Sequence, residues 1–195
     1  MVTDLRTGGM AGGSGEQAQT SSMLSQMMHY YNLPNSSIAG ASDSNIPDYQ
    51  AGYEKAITIA ASAQSGANLI TQASGMLSGL MGVSLESLVL DNELCGSILS
   101  SMRNVDITSI GKDLHSIKQV IAQDNHFLGE SDTLKRMNTD FNYPKSAKRL
   151  SPELWMKENE NTMFNDARKT LADLLSENFE SHLSPDIIKK IETEF

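Results

Sequence analysis

An α/β fold with parallel strands is expected from three features of the sequence. Between Ser36 and Gly79 a short apolar run ending in small residues is followed by a polar loop and a helical pattern. A second short apolar run then ends in another Gly/Ser loop, which is the order of a βαβ unit. The chain opens on a glycine-rich stretch, Arg6 to Glu16, of the kind that belongs between elements, so its start reads as mid-fold with the end of a further strand before it. From Asn138 onward the texture changes to charged, aromatic-poor segments, which predicts a helical tail over 138–195 wrapping the β/α units of 1–137.

Taken in order, Glu16 to Tyr31 reads as a helix with Met23, Met27 and Tyr30 on one side and Leu24, Met28 and Tyr31 beside them. That spacing predicts core filling by the methionines. Asn32-Leu-Pro-Asn ends this helix and a strand follows over residues 36–41. Pro47 punctuates the next helix, Asp48 can cap it, and Ala51, Lys55, Ile59 and Ala63 recur on one face. Gly66 stops it as a left-handed residue would, and the second strand covers 67–72. Val83 to Met102 is the longest predicted helix, with Ser84 as cap and a stripe of Leu85, Leu88, Val89, Asn92, Cys95, Leu99 and Met102. Asp106 to Ser109 turns the chain into an amphipathic helix carrying Leu114, Ile117, Val120 and Ile121. Asn125-His-Phe-Leu-Gly-Glu then leads into a short helix. In the tail, Phe141 to Arg149 is extended and basic, Ser151-Pro-Glu begins one helix, a second falls between Glu158 and Asn178, and Ser184-Pro-Asp begins a third.

At 195 residues and 39% hydrophobic content the chain can bury one core. Its formal charge of −9, with 24 acidic against 15 basic residues, argues against nucleic acid as a partner. No apolar run is long enough to span a membrane, and the first residues lack the basic and apolar regions of a secretory leader. Cytoplasmic localisation is therefore the expectation. Cys95 stands alone and reads as a small hydrophobe in a reducing compartment.

Asp43, Asp48 and Glu54 are the first candidates for chemistry. Carboxylates just past a parallel strand can attract a cation or hold a proton, although loop and cap carboxylates bonding nearby amides are the plainer alternative. Tyr49 and Tyr53 lie one turn apart, suited either to packing or to cation–π contact with a quaternary ammonium. The four histidines, His29, His115, His126 and His182, are scattered without metal-ligand spacing, so no metal is expected; His126, in its loop, is the one candidate. Gly13-x-Gly15-x-x-Ala18 lacks the preceding strand and following acid of a dinucleotide fingerprint, and no Gly-Lys-Ser/Thr follows it. Ser74 and Ser78 are in no nucleophile elbow.

Ala39-Gly40-Ala41-Ser42-Asp43-Ser44, Pro47-Asp48-Tyr49-Gln50-Ala51-Gly52-Tyr53-Glu54-Lys55 and Gly66-Ala67-Asn68-Leu69-Ile70 together resemble the C-terminal part of the trimethylamine methyltransferase family. The resemblance implies the C-terminal portion of a TIM (β/α)₈ barrel, with residues 1–137 as its last β/α units and 138–195 as additional C-terminal helices. It also implies methyl transfer from a methylated amine, such as trimethylamine or glycine betaine, to the corrinoid cobalt (cobalamin) of a separate corrinoid protein. No metal would then be bound directly by this chain. The implied partners are that corrinoid protein, an N-terminal barrel half on the same or a separate chain, the amine itself, and a second copy as a homo-oligomer.

By the same likeness Asp43, Asp48, Glu54 and His126 are the catalytic candidates, His126 through a His-Phe-Leu motif. Arg6, Thr7, Gln50, Tyr53, Thr71 and Gln72 are the substrate-binding candidates. No pyrrolysine is written, so the nearer likeness is to members resembling glycine betaine and other quaternary-amine demethylases. Many relatives carry His-Asp after Gly-Ala-Asn-Leu-Ile and Leu-Glu-Ser-Gly slightly later; here Thr71-Gln72 and Leu77-Ser78-Gly79 stand there, and Asp132 replaces a second family histidine. These departures motivate an alternative, a non-catalytic remnant or partner-binding fragment of the same barrel.

Overall fold

The computed structural model describes residues 2–122, 126–158, 161–177 and 181–194. Helix α1 (Gly15–Tyr30) leads into strand β1 (Ser36–Ile38), helix α2 (Tyr49–Gln64) and strand β2 (Leu69–Thr71). The two strands are parallel neighbours with Ser37 opposite Ile70, and Ala39 N–H to the Thr71 carbonyl, at 3.3 Å, prolongs the pairing. The predicted βαβ unit is therefore present, and among the described residues the chain is helix-rich with few strands, which is compatible with an α/β fold. Asp48 caps α2 by accepting the Ala51 N–H at 3.0 Å. Gly66, at φ +86°, ends it, with the Gly66 and Ala67 amides returning to the Ala63 and Ser62 carbonyls in a Schellman arrangement.

A short hairpin, β3 (Met76–Leu77) and β4 (Gly82–Val83), joined by a 3-10 turn, separates β2 from α3 (Leu85–Ser101). Ala39, Ile59 and Ile98 form the buried core, with Ile70, Leu94 and Cys95 packed against it. Burial pushes the Cys95 thiol up, which suits a packing residue more than a nucleophile.

Two stripes fall elsewhere than expected. On α1 the buried residues are Gln17, Ala18, Ser21 and Ser25, while Met23, Leu24, Met27, Tyr30 and Tyr31 are exposed. Small residues let α1 lie close to α2, close enough for the Ser22 hydroxyl to donate to the Ala61 carbonyl at 3.3 Å, so the bulky residues face away. On α3, Ser87, Asp91 and Ile98 are buried, whereas Leu85, Leu88, Leu99 and Met102 are exposed. Near the start of α3 the buried side is polar because Asp91 has a buried ionic partner, described below, while Leu94, Cys95 and Ile98 carry its apolar contact with the core.

The remaining helices are α4 (Ile110–Ala122), α5 (Ser131–Thr139), α6 (Pro152–Lys157), α7 (Met163–Ser176) and α8 (Pro185–Glu194). The predicted helix starts at Ser151 and Ser184 hold, with the Ser151 hydroxyl accepting the Leu154 N–H. The second tail helix starts at Thr162, its cap; the ends expected near Glu158 and Asn178 adjoin or enter residues outside the described set, as does Asn125. Helix α7 packs on α3 and buries Ala167 completely. The Glu93 carboxylate pins the tail by accepting the consecutive N–H groups of Lys145, Ser146 and Ala147 at 2.8, 2.6 and 3.2 Å. Glu93→Ala leaves these three donors without an acceptor and is expected to cost about 1–3 kcal/mol. Urea denaturation checks the magnitude, and faster amide exchange at 145–147 checks the place.

Candidate active site

The loop after β1 and the first turns of α2 converge on a pair of carboxylates. Glu54 faces inward on α2, 5% exposed, and its Oε2 accepts the Ser42 hydroxyl at 2.7 Å and the Asp43 N–H at 2.8 Å. Its Oε1 accepts the side-chain amide of Gln50, one turn earlier, at 2.8 Å. Asp43 is half-buried and receives the N–H groups of Gly12 at 3.0 Å and Gly13 at 3.2 Å. The glycine-rich opening loop thus donates its backbone to the loop of the first strand. Gly13 has to be glycine for this: a Cβ there would stand 2.5 Å from Glu54 Oε2.

Every partner of Glu54 is a donor, and none is a base. Among the described residues no Lys, Arg or His nitrogen forms a salt bridge with Asp43 or Glu54. Partial desolvation pushes the Asp43 carboxyl above its ordinary range; the Gly13 and Gly12 amides oppose this and the Glu54 charge adds to it. The result is a concentrated negative site that has no ion-pair partner among the described residues.

Tyr53 follows on the exposed side of α2, its ring centroid 5.6 Å from that of Tyr49. Desolvation, then the Glu54 charge, raises its phenol above the ordinary value. Asp48 is an exposed cap whose carboxyl is held low mainly by the Ala51 N–H, and no bond joins it to Glu54. Thr71 closes β2 and bonds the Ser37 carbonyl at 3.4 Å; exposed Gln72 follows in a left-handed conformation, φ +63°. Arg6 lies in the opening loop with its guanidinium taken by Asp4, whose carboxyl is thereby lowered to about 2, and the adjacent Thr7 hydroxyl accepts the Gly9 N–H. His126 is exposed between α4 and α5, and no bond among the described residues ties it to the carboxylates. The structure thus joins Asp43, Glu54 and Gln50 directly and leaves Asp48, Arg6, Thr7 and His126 outside that network. Among the described residues no group of three or more His, Cys, Asp or Glu side chains could hold a metal ion, and no helix is long and apolar enough to cross a membrane.

A family model described as trimethylamine methyltransferase matches residues 1–195. The chain belongs to the trimethylamine methyltransferase family. It is 31% identical over 157 residues to a glycine betaine methyltransferase of Desulfitobacterium hafniense (strain Y51), covering 80% of this chain and 33% of that protein. It is 30% identical over 192 residues to the trimethylamine methyltransferase MttB of Methanosarcina thermophila, covering 97% of this chain and 38% of the relative. A second Desulfitobacterium hafniense protein, a trimethylamine methyltransferase MttB of strain DSM 10664 / DCB-2, is 32% identical over 146 residues, which is 74% of this chain and 28% of the relative. The chain spans about a third of the length of these relatives.

Within this member of the trimethylamine methyltransferase family, several contributors to the site escaped sequence reasoning. Ser42, Gly12 and Gly13 act through a hydroxyl and two amides, and no periodicity announces such groups. Lys55 did leave a signal, since it stands in the otherwise apolar face of Ala51, Ile59 and Ala63. A lysine on a core-facing stripe demands a buried acid. That acid is Asp91 on α3, whose pair with Lys55 is 7% and 1% exposed.

Proposed function

We propose that this chain forms the last β/α units of a (β/α)₈ barrel, residues 1–137, with a helical tail over 138–195. In this reading the completed cytoplasmic enzyme moves a methyl group from a methylated amine to the corrinoid cobalt of a partner protein. The observation that carries it is the pair of carboxylates, Asp43 and Glu54, held by hydrogen-bond donors and without a basic partner among the described residues. A site of that charge favours a cation, and a methylated ammonium is one whose charge is spread over apolar methyl groups. The family membership and the names of the relatives, which give trimethylamine and glycine betaine, support the same substrate class.

Asp43 and Glu54 attract the ammonium, Gln50 holds Glu54 in place, and Tyr53 offers an aromatic face to the methyl groups. Thr71 and Gln72 line the neighbouring strand end, with Arg6 and Thr7 at the rim; Asp48 fixes the start of α2, and His126 is contributed from the segment between α4 and α5. As the methyl group departs, the carbon–nitrogen bonding pair stays on nitrogen and the cation becomes a neutral amine. The cobalt of the partner protein, in its reduced state, supplies the pair for the new bond. Corrinoid is a substrate carried by that partner, and nothing in the carboxylate site is required to hold it.

Methyl transfer from glycine betaine and from trimethylamine to cob(I)alamin, with the chain combined with the N-terminal barrel part of a relative, tests the proposal. Transfer from either amine is the expected result. A folded combination inert toward a panel of methylated amines would favour the partner-binding fragment, a reading for which Thr71-Gln72 and Ser78 give the motive.

Cation binding should also depend on pH. The folded state raises the Asp43 carboxyl, so its contribution to stability is present below the ordinary carboxylate value, about 3.9, and is lost as pH rises through the raised value. Affinity for a cation runs the opposite way and strengthens through that same interval. Tetramethylammonium titrations across that interval, compared with Asp43→Asn, check the sign.

A further inference from the structure

Lys55 follows Glu54 on α2, and its side chain, also buried, reaches Asp91 on α3. The same Asp91 oxygen accepts the Gly75 N–H at 2.8 Å. Gly75, at φ +78°, opens the β3–β4 hairpin, and the Ser84 N–H closes the hairpin onto the Gly75 carbonyl at 2.9 Å. At its other end the hairpin is tied to the loop that carries Asp43. Ser78 N–H donates to the Ser44 carbonyl at 2.8 Å, Gly79 N–H to the Ser42 carbonyl at 2.9 Å, and Ser42 N–H to the Met76 carbonyl at 3.3 Å. A Cβ on Gly79 would lie 3.8 Å from an Asp43 oxygen, so the turn of the hairpin sits directly beside the carboxylate.

We infer that Lys55 and Asp91 are positioning residues which set the β3–β4 hairpin against the Asp43–Glu54 pair and so shape the space left for the ammonium group. The last clause rests on the function proposed above; the positioning does not. Apolar residues of similar volume would fill the core as well as a buried ion pair does, because desolvating two charges offsets most of their attraction. An apolar pair, however, could not accept the Gly75 amide. Asp91 is needed as an acceptor, and Lys55 is needed to make a buried carboxylate tolerable.

The test separates packing from positioning. Lys55→Met combined with Asp91→Leu, the double variant, replaces the pair by apolar bulk, while Asp91→Asn, made on a Lys55→Met background so that no charge is orphaned, keeps an oxygen for Gly75. In amide exchange on the full chain, the double variant should retain protection in α1 and α2. At 75, 78 and 79 its amides should exchange about tenfold faster, the worth of one lost hydrogen bond. On that background Asp91→Asn should keep the hairpin protected. Unchanged hairpin exchange in the folded double variant would overturn the inference. If that variant does not fold, the Gly75 amide of the unmodified chain decides: slow exchange supports the inference, and exchange as fast as that of exposed Ser74 overturns it. Tetramethylammonium binding by the unmodified chain is read alongside. Its absence counts against the proposed function, whereas a loosened hairpin that leaves binding unchanged counts against the shaping role.

Discussion

Asp91→Ala is expected to lower the stability of the chain by about 3–5 kcal/mol, the usual cost of leaving one member of a buried ion pair alone. Lys55 is 1% exposed and has no water to turn to when its partner is removed. Asp91 also accepts the Gly75 amide, so the substitution orphans a donor together with a charge. Urea denaturation should register the loss as a fall in midpoint with little change in slope. The Lys55→Met and Asp91→Leu combination should recover most of it, because no charge is then left in the core. A loss for Asp91→Ala below about 1 kcal/mol, the range of exposed pairs, would mean that water reaches the pair.

Gly13→Ala is expected to dismantle the carboxylate site. The added methyl would stand 2.5 Å from Glu54 Oε2 and 2.6 Å from Glu54 Cβ and Cδ, and the side chain cannot yield at its Cβ. Either the opening loop moves away from Asp43 or Glu54 abandons Ser42 and the Asp43 amide. Overpacking of this kind costs about 1–3 kcal/mol. Cation affinity should fall by more than the stability loss alone would suggest, because both carboxylates lose their bonding partners. Gly12→Ala is the control, since its methyl would meet Ala41 and Asp43 at 3.8 Å, ordinary contact. Thermal melts of the two variants, followed by tetramethylammonium titrations, distinguish a local clash from a general intolerance of the loop.

The parallel βαβ unit was readable because its signals are local and redundant: Asp48 caps, Gly66 terminates, and small residues end the strands. That Asp43 and Glu54 lie near each other was readable for a related reason, since they are separated by one loop and the first two turns of α2, whereas Gln50 was a candidate only through the family resemblance. Helix faces were misjudged wherever bulk was equated with burial. In α1 a close approach to α2 selected alanine and serine for the interface and turned the methionines outward. In α3 an ionic contact claimed the core side at Asp91, while Leu85 and Leu88 remained exposed. Contacts between residues distant in sequence, such as Gly13 with Asp43 or Glu93 with 145–147, carry no periodic signal at all.

Calorimetric titration of tetramethylammonium into the unmodified chain, Asp43→Asn and Glu54→Gln measures whether the two carboxylates draw in a methylated cation. Saturable binding by the unmodified chain, weakened about tenfold or more in each variant, is expected, since each removes one charge worth at least one charge-assisted contact. Binding that is absent, or that persists unchanged when either carboxylate is neutralised, would contradict it.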